Sequence, residues 1–159
     1  MADEPHVEST LKFFDEWNTD FPTMCLSFTK YFAPDGIWWN TPVFPQVQGF
    51  DEAFEKILKP SNESSLAMDR IRVETLNIAQ VGNLVYNERI DHIIRADGTV
   101  VLSIPICGVI EFNEDDQIQH FRDYCDTTAL VEAMTGGTPS DTTSSGTGPE
   151  GNHHGTDSN

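Results

Sequence analysis

The chain has 159 residues, a length that suits one domain built around a single hydrophobic core. Its formal net charge of −17 argues against binding to nucleic acid and favours a neutral ligand over an anionic one. No early apolar run is long enough for a signal peptide or a membrane span, so we expect a soluble, cytoplasmic protein without a membrane partner.

Apolar residues in the first third of the chain recur at spacings of three and four, which predicts helices. The three predicted helices carry, in turn, Val7, Leu11, Phe14 and Trp17; Met24, Phe28, Tyr31 and Phe32; and Phe50, Phe54, Ile57 and Leu58. The second should stop at "APDG", where Pro34 and Gly36 break it, and the third should end at Pro60.

From Met68 onward the hydrophobic period changes to two, which predicts strands. The segments are "RIRVET", "LVYNERIDHII", "TVVLSIPICGVIEF" and "QIQHFRDYCD", and short turns between them favour an antiparallel meander. Pro105 cannot donate to a ladder, so it requires a bulge or a sheet edge. Helices followed by long strands predict an α+β fold, with a sheltered space between the sheet and the helices.

The composition changes abruptly near Thr135, since no Leu, Ile, Val or aromatic residue follows. We therefore predict one domain over residues 1–134 and a disordered polar tail over residues 135–159. Cys25, Cys107 and Cys125 are an odd number without metal-ligand spacing, so we expect reduced, buried thiols and no metal site.

Two strands carry carboxylates on faces that look apolar. Alternation in "FRDYCD" places Phe121, Asp123 and Cys125 on one face, where a lone carboxylate is costly. Arg89 and Asp91 share a face of "LVYNERIDHII", a pattern that a solvated ion pair also produces. If Arg89 reaches both carboxylates, it offsets their burial, and one of them should retain a proton. One protonated and one ionised carboxyl form an acid–base pair.

The segment "GIWWNTPVFP" places Trp38 and Asn40 on the same face of a strand. Trp38 can pack in the core, and Asn40 can start a turn before Pro42. The Asn40 amide can also hold a water molecule, because it both donates and accepts.

Five segments, in the order "YFAPDGIWWNTP", "GFDEAFEKIL", "VYNERIDHI", "CGVIEF" and "FRDYCD", make the chain resemble the limonene-1,2-epoxide hydrolases. These belong to the wider NTF2-like and SnoaL-like group of cone-shaped α+β domains. The likeness covers residues 5–132, and its most specific pieces are "ERID" and "RDYCD". It implies a curved, mostly antiparallel sheet packed on N-terminal helices around a pocket.

The resemblance implies an enzyme without metal or cofactor, which adds water to a small, neutral, apolar epoxide in one acid–base step to give a vicinal diol. Asp123 would deprotonate the water, and Asp91 would protonate the epoxide oxygen. Arg89 would bond to both carboxyls, and Asn40 would help to hold the water.

The family's usual water-holding tyrosine is replaced here by Trp38, whose indole N–H can donate a hydrogen bond but cannot accept one. By the same resemblance the substrate would contact Trp38, Phe14, Trp17, Met68, Val73, Ile93, Ile104, Ile106, Cys125 and Leu130. Family members are commonly homodimers through the sheet, so a homodimer is implied as well.

Two alternatives remain open on the sequence. A SnoaL-like cyclase or isomerase of polyketide or terpenoid biosynthesis, including an epoxide-opening cyclase, would use an internal nucleophile in place of water. A non-catalytic NTF2-like binding module would leave Arg89 facing solvent, with Asp91 and Asp123 titrating independently.

Overall fold

The computed structural model describes residues 4–41 and 44–137. The N-terminal part consists of α1 (Pro5–Trp17), α2 (Phe21–Tyr31), β1 (Phe32–Thr41), β2 (Val47–Gln48), α3 (Gly49–Ala53), a π-helical segment (Phe54–Leu58) and α4 (Lys59–Glu63). The C-terminal part consists of β3 (Arg70–Val81), β4 (Leu84–Ile94), β5 (Val100–Phe112), β6 (Ile118–Tyr124) and α5 (Thr128–Met134).

The strands form one sheet in the order β2-β1-β6-β5-β4-β3. Strands β3 to β6 pair as an antiparallel meander, as their short connections predict. Strand β1 pairs in parallel with β6, which is possible because a long stretch of chain separates them. The predicted α+β fold, with helices packed on a mostly antiparallel curved sheet, is confirmed.

An aromatic cluster joins the helices to the sheet. Phe13 of α1 is fully buried, and its ring meets Trp17, Phe28 and Phe121 at centroid distances of 4.9, 5.5 and 6.1 Å. Edge-to-face contacts of this kind add to the stabilisation from burial. The buried face of α1 is centred on Phe13, so Leu11, which the spacing placed on that face, is 37% exposed.

The third predicted helix does not end at Pro60. The helical stretch continues through α4 to Glu63, and the π-helical segment ends at Leu58, two residues before Pro60. A proline ring clashes with the carbonyl four residues before it in a regular α-helix, and it has no N–H to donate. The wider π turn relieves this conflict, so the chain stays helical past Pro60.

Pro105 lies at an edge, as predicted. Strand β6 pairs with Cys107–Phe112 of β5, and within residues 4–41 and 44–137 no strand pairs with β5 on that side at Pro105. Cys107 is exposed, which contradicts the expectation of a buried thiol, because alternation turns it to the outer face of the sheet. Cys25 is buried and Cys125 is half-buried.

The predicted tail falls almost entirely on residues 138–159, which lie outside the described residues, as does Pro42. Thr135 and Gly136 form a turn after α5, and the Gly137 N–H donates to the Glu132 carbonyl at 2.8 Å.

In residues 4–41 and 44–137, no helix has the length and apolar character needed to cross a membrane.

Candidate active site

Strand β4 turns three polar side chains inward. Asn87, Arg89 and Asp91 are all buried, whereas Tyr86 before them and Glu88 between Asn87 and Arg89 are exposed. This is the alternation that the sequence predicts for a strand with one face against the helices. The solvated-face interpretation of this segment is therefore wrong, because Arg89 has no exposed surface.

The guanidinium of Arg89 uses all five of its N–H groups. Nε and Nη2 donate to the two oxygens of Asp91, at 2.9 and 3.3 Å. Nη1 and Nη2 donate to the two oxygens of Asp123, both at 2.9 Å. The remaining Nη1 hydrogen goes to Oδ1 of Asn87, at 2.7 Å. Arg89 thus holds both carboxyls in paired hydrogen bonds, the strongest geometry available to this side chain.

Two aromatic rings cover the Arg89 guanidinium. Its central carbon lies 4.9 Å from the ring centroid of Phe14 and 5.5 Å from that of Phe121. The rings attract the cation and keep water from it, so the ionic hydrogen bonds of Arg89 operate in a weakly polar environment.

Gly108 of β5 makes room for this arrangement. It lies in register between Asn87 of β4 and Asp123 of β6. A Cβ at this position would lie 2.7 Å from Nη1 of Arg89 and 2.8 Å from Nδ2 of Asn87. Only glycine therefore allows the side chains of the two neighbouring strands to meet over β5.

Burial raises the pKa of both carboxyls, and Arg89 opposes the rise without cancelling it. The two are not equivalent. The negative charge of Asp123 raises the pKa of Asp91 further, whereas the Trp38 indole N–H lowers the pKa of Asp123. Trp38 Nε1 approaches that carboxyl without a hydrogen bond of regular geometry to any described residue, so we treat this contact as weaker than those of Arg89. The pKa shifts of Asp91 and Asp123 thus have the same direction and differ in their causes.

Both carboxyls border a cavity of about 620 Å³, its solvent-exposed mouth included, between the sheet and the helices. Its wall contains many of the residues that the sequence placed around a substrate, together with Asn40: Trp17, Trp38, Met68, Ile93, Ile104, Ile106, Cys125 and Leu130. Burial, followed by the charge of Asp123, raises the pKa of the Cys125 thiol to about 12, so its sulfur is a neutral part of the wall.

Phe14 and Val73 do not border the cavity, contrary to expectation. Phe14 lies against the Arg89 guanidinium instead. Val73 pairs with Asp91 from the neighbouring strand β3 and packs half-buried at the margin of the core. Ile71, two residues earlier on β3, borders the cavity in its place.

Several wall residues were not found from the sequence: Met24, Phe28, Ile57, Leu58, Ser61, Ile71 and Thr127. Met24, Phe28, Ile57 and Leu58 lie on the apolar faces of the predicted helices, and periodicity alone does not separate a core face from a cavity wall. Asn87 could have been identified from the sequence, because alternation places it on the same face of β4 as Arg89. Gly108 could not, since its role depends on the register of three strands.

Tyr86 and Tyr124 do not border the cavity. Both are almost half exposed, on the outer face of the sheet. Asn40 lies in register with Asp123 on the parallel pair of β1 and β6 and borders the cavity. Trp38 and Asn40 are therefore the groups of β1 that face Asp123.

Comparison with solved structures supports the fold. An LEH-like epoxide hydrolase from M. tuberculosis superposes with a TM-score of 0.57 at 18% identity, over 81% of this chain and 88% of that one. A putative SnoaL-like polyketide cyclase from Jannaschia sp. CCS1 gives 0.62 at 16% identity, over 85% and 97%. An NTF2-like protein of unknown function from Burkholderia pseudomallei K96243 gives 0.64 at 13% identity, over 84% and 99%. At these identities the likeness establishes the NTF2-like and SnoaL-like fold alone.

No curated protein matches the chain. The family model of the limonene-1,2-epoxide hydrolase catalytic domain matches residues 18–135, which include every residue of the Arg89 network described above except Phe14. The chain therefore belongs to the limonene-1,2-epoxide hydrolase catalytic domain family.

Proposed function

We propose that this chain is an epoxide hydrolase that adds water to a neutral, apolar epoxide and releases a vicinal diol. One observation carries the proposal: the buried Arg89 divides its five N–H groups among Asp91, Asp123 and Asn87 at the wall of an apolar cavity. Two carboxylates around one cation leave an excess negative charge in a buried place. Retention of one proton removes that charge and leaves an acid beside a base.

The reaction is a single concerted step. Asp123 takes a proton from water as the water oxygen bonds to an epoxide carbon. The bond between that carbon and the epoxide oxygen breaks, and the oxygen takes the proton of Asp91. The step leaves Asp123 protonated and Asp91 ionised, so one proton must return to Asp91 before the next turnover. Arg89 remains a cation and stays bonded to both carboxyls throughout.

Asn40 is the proposed water-positioning residue, since it faces Asp123 from β1 and its amide can both donate and accept. Trp38 contributes a donor only. Its N–H stabilises the ionised form of Asp123 and thereby favours the carboxylate that acts as base.

The apolar wall suits a substrate without charge. A cationic substrate would compete with Arg89 for the carboxyls, and an anionic one would be repelled by the net charge of −17.

We also propose a homodimer formed through the outer face of the sheet. Trp39, Tyr86 and Tyr124 are 37%, 45% and 49% exposed on this face, which lies opposite the Arg89 network. Exposed aromatic residues of this kind are typical of protein interfaces. Sedimentation equilibrium of the purified chain tests the proposal, and a monomeric mass at micromolar concentration would contradict it.

A cyclase is the second candidate. By the resemblance, Trp38, which borders the cavity, replaces the family's water-holding tyrosine, and a substrate that carries its own nucleophile needs no held water. The same acid and base would then open the epoxide by attack of an internal hydroxyl group.

A non-catalytic binding module is the weakest candidate, since such a module gives no reason to bury Arg89 with two carboxyls.

Product analysis in isotopically labelled water, with limonene oxide, cyclohexene oxide and styrene oxide, tests the proposal. Hydrolysis places one labelled oxygen in the diol, and cyclisation places none.

Asp123→Asn should lower turnover on the order of 10²- to 10⁴-fold, because the amide cannot accept the water proton. Asp126→Asn is the matched control, since Asp126 is exposed and only caps α5. Near-normal diol formation by Asp123→Asn would exclude the proposed mechanism.

A further inference from the structure

Two residues of the cavity wall carry buried polar atoms that do not belong to the Arg89 network. Oγ1 of Thr127 and Nε1 of Trp17 are both buried, in side chains that are 1% and 2% exposed. Neither atom has a hydrogen-bond partner among residues 4–41 and 44–137. Buried polar atoms are almost always hydrogen-bonded in folded proteins, so each of these requires an explanation.

The local structure of α5 does not use the Thr127 hydroxyl. Thr127 stands at the N-cap of α5, where a threonine side chain ordinarily accepts a hydrogen bond from a helical N–H. Here Oδ1 of Asp126 accepts from the Thr128 N–H instead, at 2.9 Å, and Thr127 makes no capping bond. The helix start is thus partly satisfied without the Thr127 hydroxyl, which borders the cavity.

Ser61 provides an internal comparison. It also borders the cavity and is 4% exposed, but its hydroxyl donates to the Ile57 carbonyl within the helix, at 2.7 Å. A hydroxyl in this wall can therefore be satisfied by its own backbone. That of Thr127 has no such partner among the described residues, so a hydrogen-bonding group in the cavity is available to explain it.

We propose that Thr127 is a specificity-determining residue that hydrogen-bonds an oxygen of the substrate other than the epoxide oxygen. The preferred substrates are then epoxides that carry a hydroxyl or carbonyl group, rather than pure hydrocarbons. The Trp17 N–H can only donate, so an oxygen that accepts hydrogen bonds also suits Nε1 of Trp17. This inference rests on the proposed epoxide hydrolysis and adds the class of substrate.

Two epoxides with the same carbon skeleton provide the test. At the end remote from the epoxide, limonene 1,2-epoxide carries an isopropenyl group where α-terpineol 1,2-epoxide carries a tertiary alcohol. The measured quantity is the ratio of kcat/KM for the hydroxylated epoxide to kcat/KM for the hydrocarbon epoxide. Thr127→Val keeps the side-chain shape and removes the hydroxyl, so the ratio should fall roughly threefold to tenfold, the effect of one lost hydrogen bond.

Two control variants separate the hydroxyl from the fold. Thr127→Ser keeps the hydroxyl and should keep the ratio, and Thr128→Val alters an exposed neighbour and should leave it unchanged. An unaltered ratio in Thr127→Val would overturn the inference, and it is the result expected if the hydroxyl bonds only to trapped water.

Binding of the unreactive alkenes distinguishes this inference from the proposed function. Calorimetry with limonene and α-terpineol requires no turnover. If neither epoxide is hydrolysed but Thr127→Val selectively weakens α-terpineol binding, epoxide hydrolysis is wrong and the role of Thr127 stands. If the epoxides are hydrolysed and Thr127→Val affects both ligands of each pair equally, hydrolysis stands and the role of Thr127 is wrong.

Discussion

Arg89 and Gly108 show how a buried ionic group can be accommodated at the scale of single residues. A guanidinium with no exposed surface would be very costly without partners, and here each N–H has an acceptor. The acceptors come from strands on either side of β5, so β5 must lack a side chain where they meet. Gly108 contributes no side chain and still determines whether Asp91 and Asp123 can share one guanidinium.

Replacement of Gly108 by alanine should therefore damage the site more than a methyl group usually does. The added Cβ would lie 2.7 Å from Nη1 of Arg89, so the guanidinium must move. We expect a loss of stability of about 1–3 kcal/mol from overpacking, and a fall in turnover on the order of 100-fold from misplacement of Asp91 and Asp123. Thermal unfolding and epoxide turnover measure the two effects. Val109→Ala, on the other face of β5, is the control, and Gly108→Ala with normal turnover would contradict the steric argument.

At the scale of elements, the sequence predicts which face of a strand a side chain occupies better than it predicts which residues pair across neighbouring strands. Alternation placed Arg89 and Asp91 on one face of β4 and Asp123 on one face of β6, and all three are buried. It left open whether the face of Arg89 was buried or solvated. The cross-strand neighbours of these residues depend on strand pairing, which periodicity does not determine. The end of the third helix was wrong for a different reason: a local π turn overrode the helix-breaking tendency of Pro60.

Helix α5 should control the fit of the substrate more than the chemistry. Leu130 borders the cavity, whereas its neighbour Val131 is similarly half-buried and does not. Leu130→Ala should weaken the binding of a small apolar epoxide by about 1–2 kcal/mol, through lost apolar contact, and raise KM more than it lowers kcat. Val131→Ala should leave KM unchanged. Steady-state kinetics of the two variants checks this, and an equal rise of KM in both would show that α5 acts only through stability.

At the scale of the whole molecule, two electrostatic effects act in the same direction. The net charge of −17 repels itself and destabilises the compact state at neutral pH. Burial raises the pKa values of Asp91 and Asp123 in the folded state above those of the unfolded chain. A carboxyl with a raised folded pKa stabilises the fold below its unfolded pKa, and this stabilisation is lost as the pH rises through the folded value.

The free energy of unfolding should therefore increase as the pH is lowered from about 8 to about 5. Denaturant unfolding at several pH values measures it. Salt separates the two causes, because about 1 M salt screens exposed charges and leaves buried ones largely unscreened. A pH dependence that persists in high salt belongs to the Asp91 and Asp123 pair. Stability that is independent of pH under those conditions would contradict the raised pKa values.

The polar network and the cavity wall have different sources in this fold. Arg89, Asp91 and Asp123 lie on β4 and β6, where ladders of backbone hydrogen bonds fix their spacing. Much of the surrounding wall comes from the helices, whose side chains can be exchanged without disturbing those ladders. Substitutions in the helices can therefore change the shape of the cavity while Arg89 and its two carboxyls keep their positions. One scaffold can in this way be adapted to many small molecules.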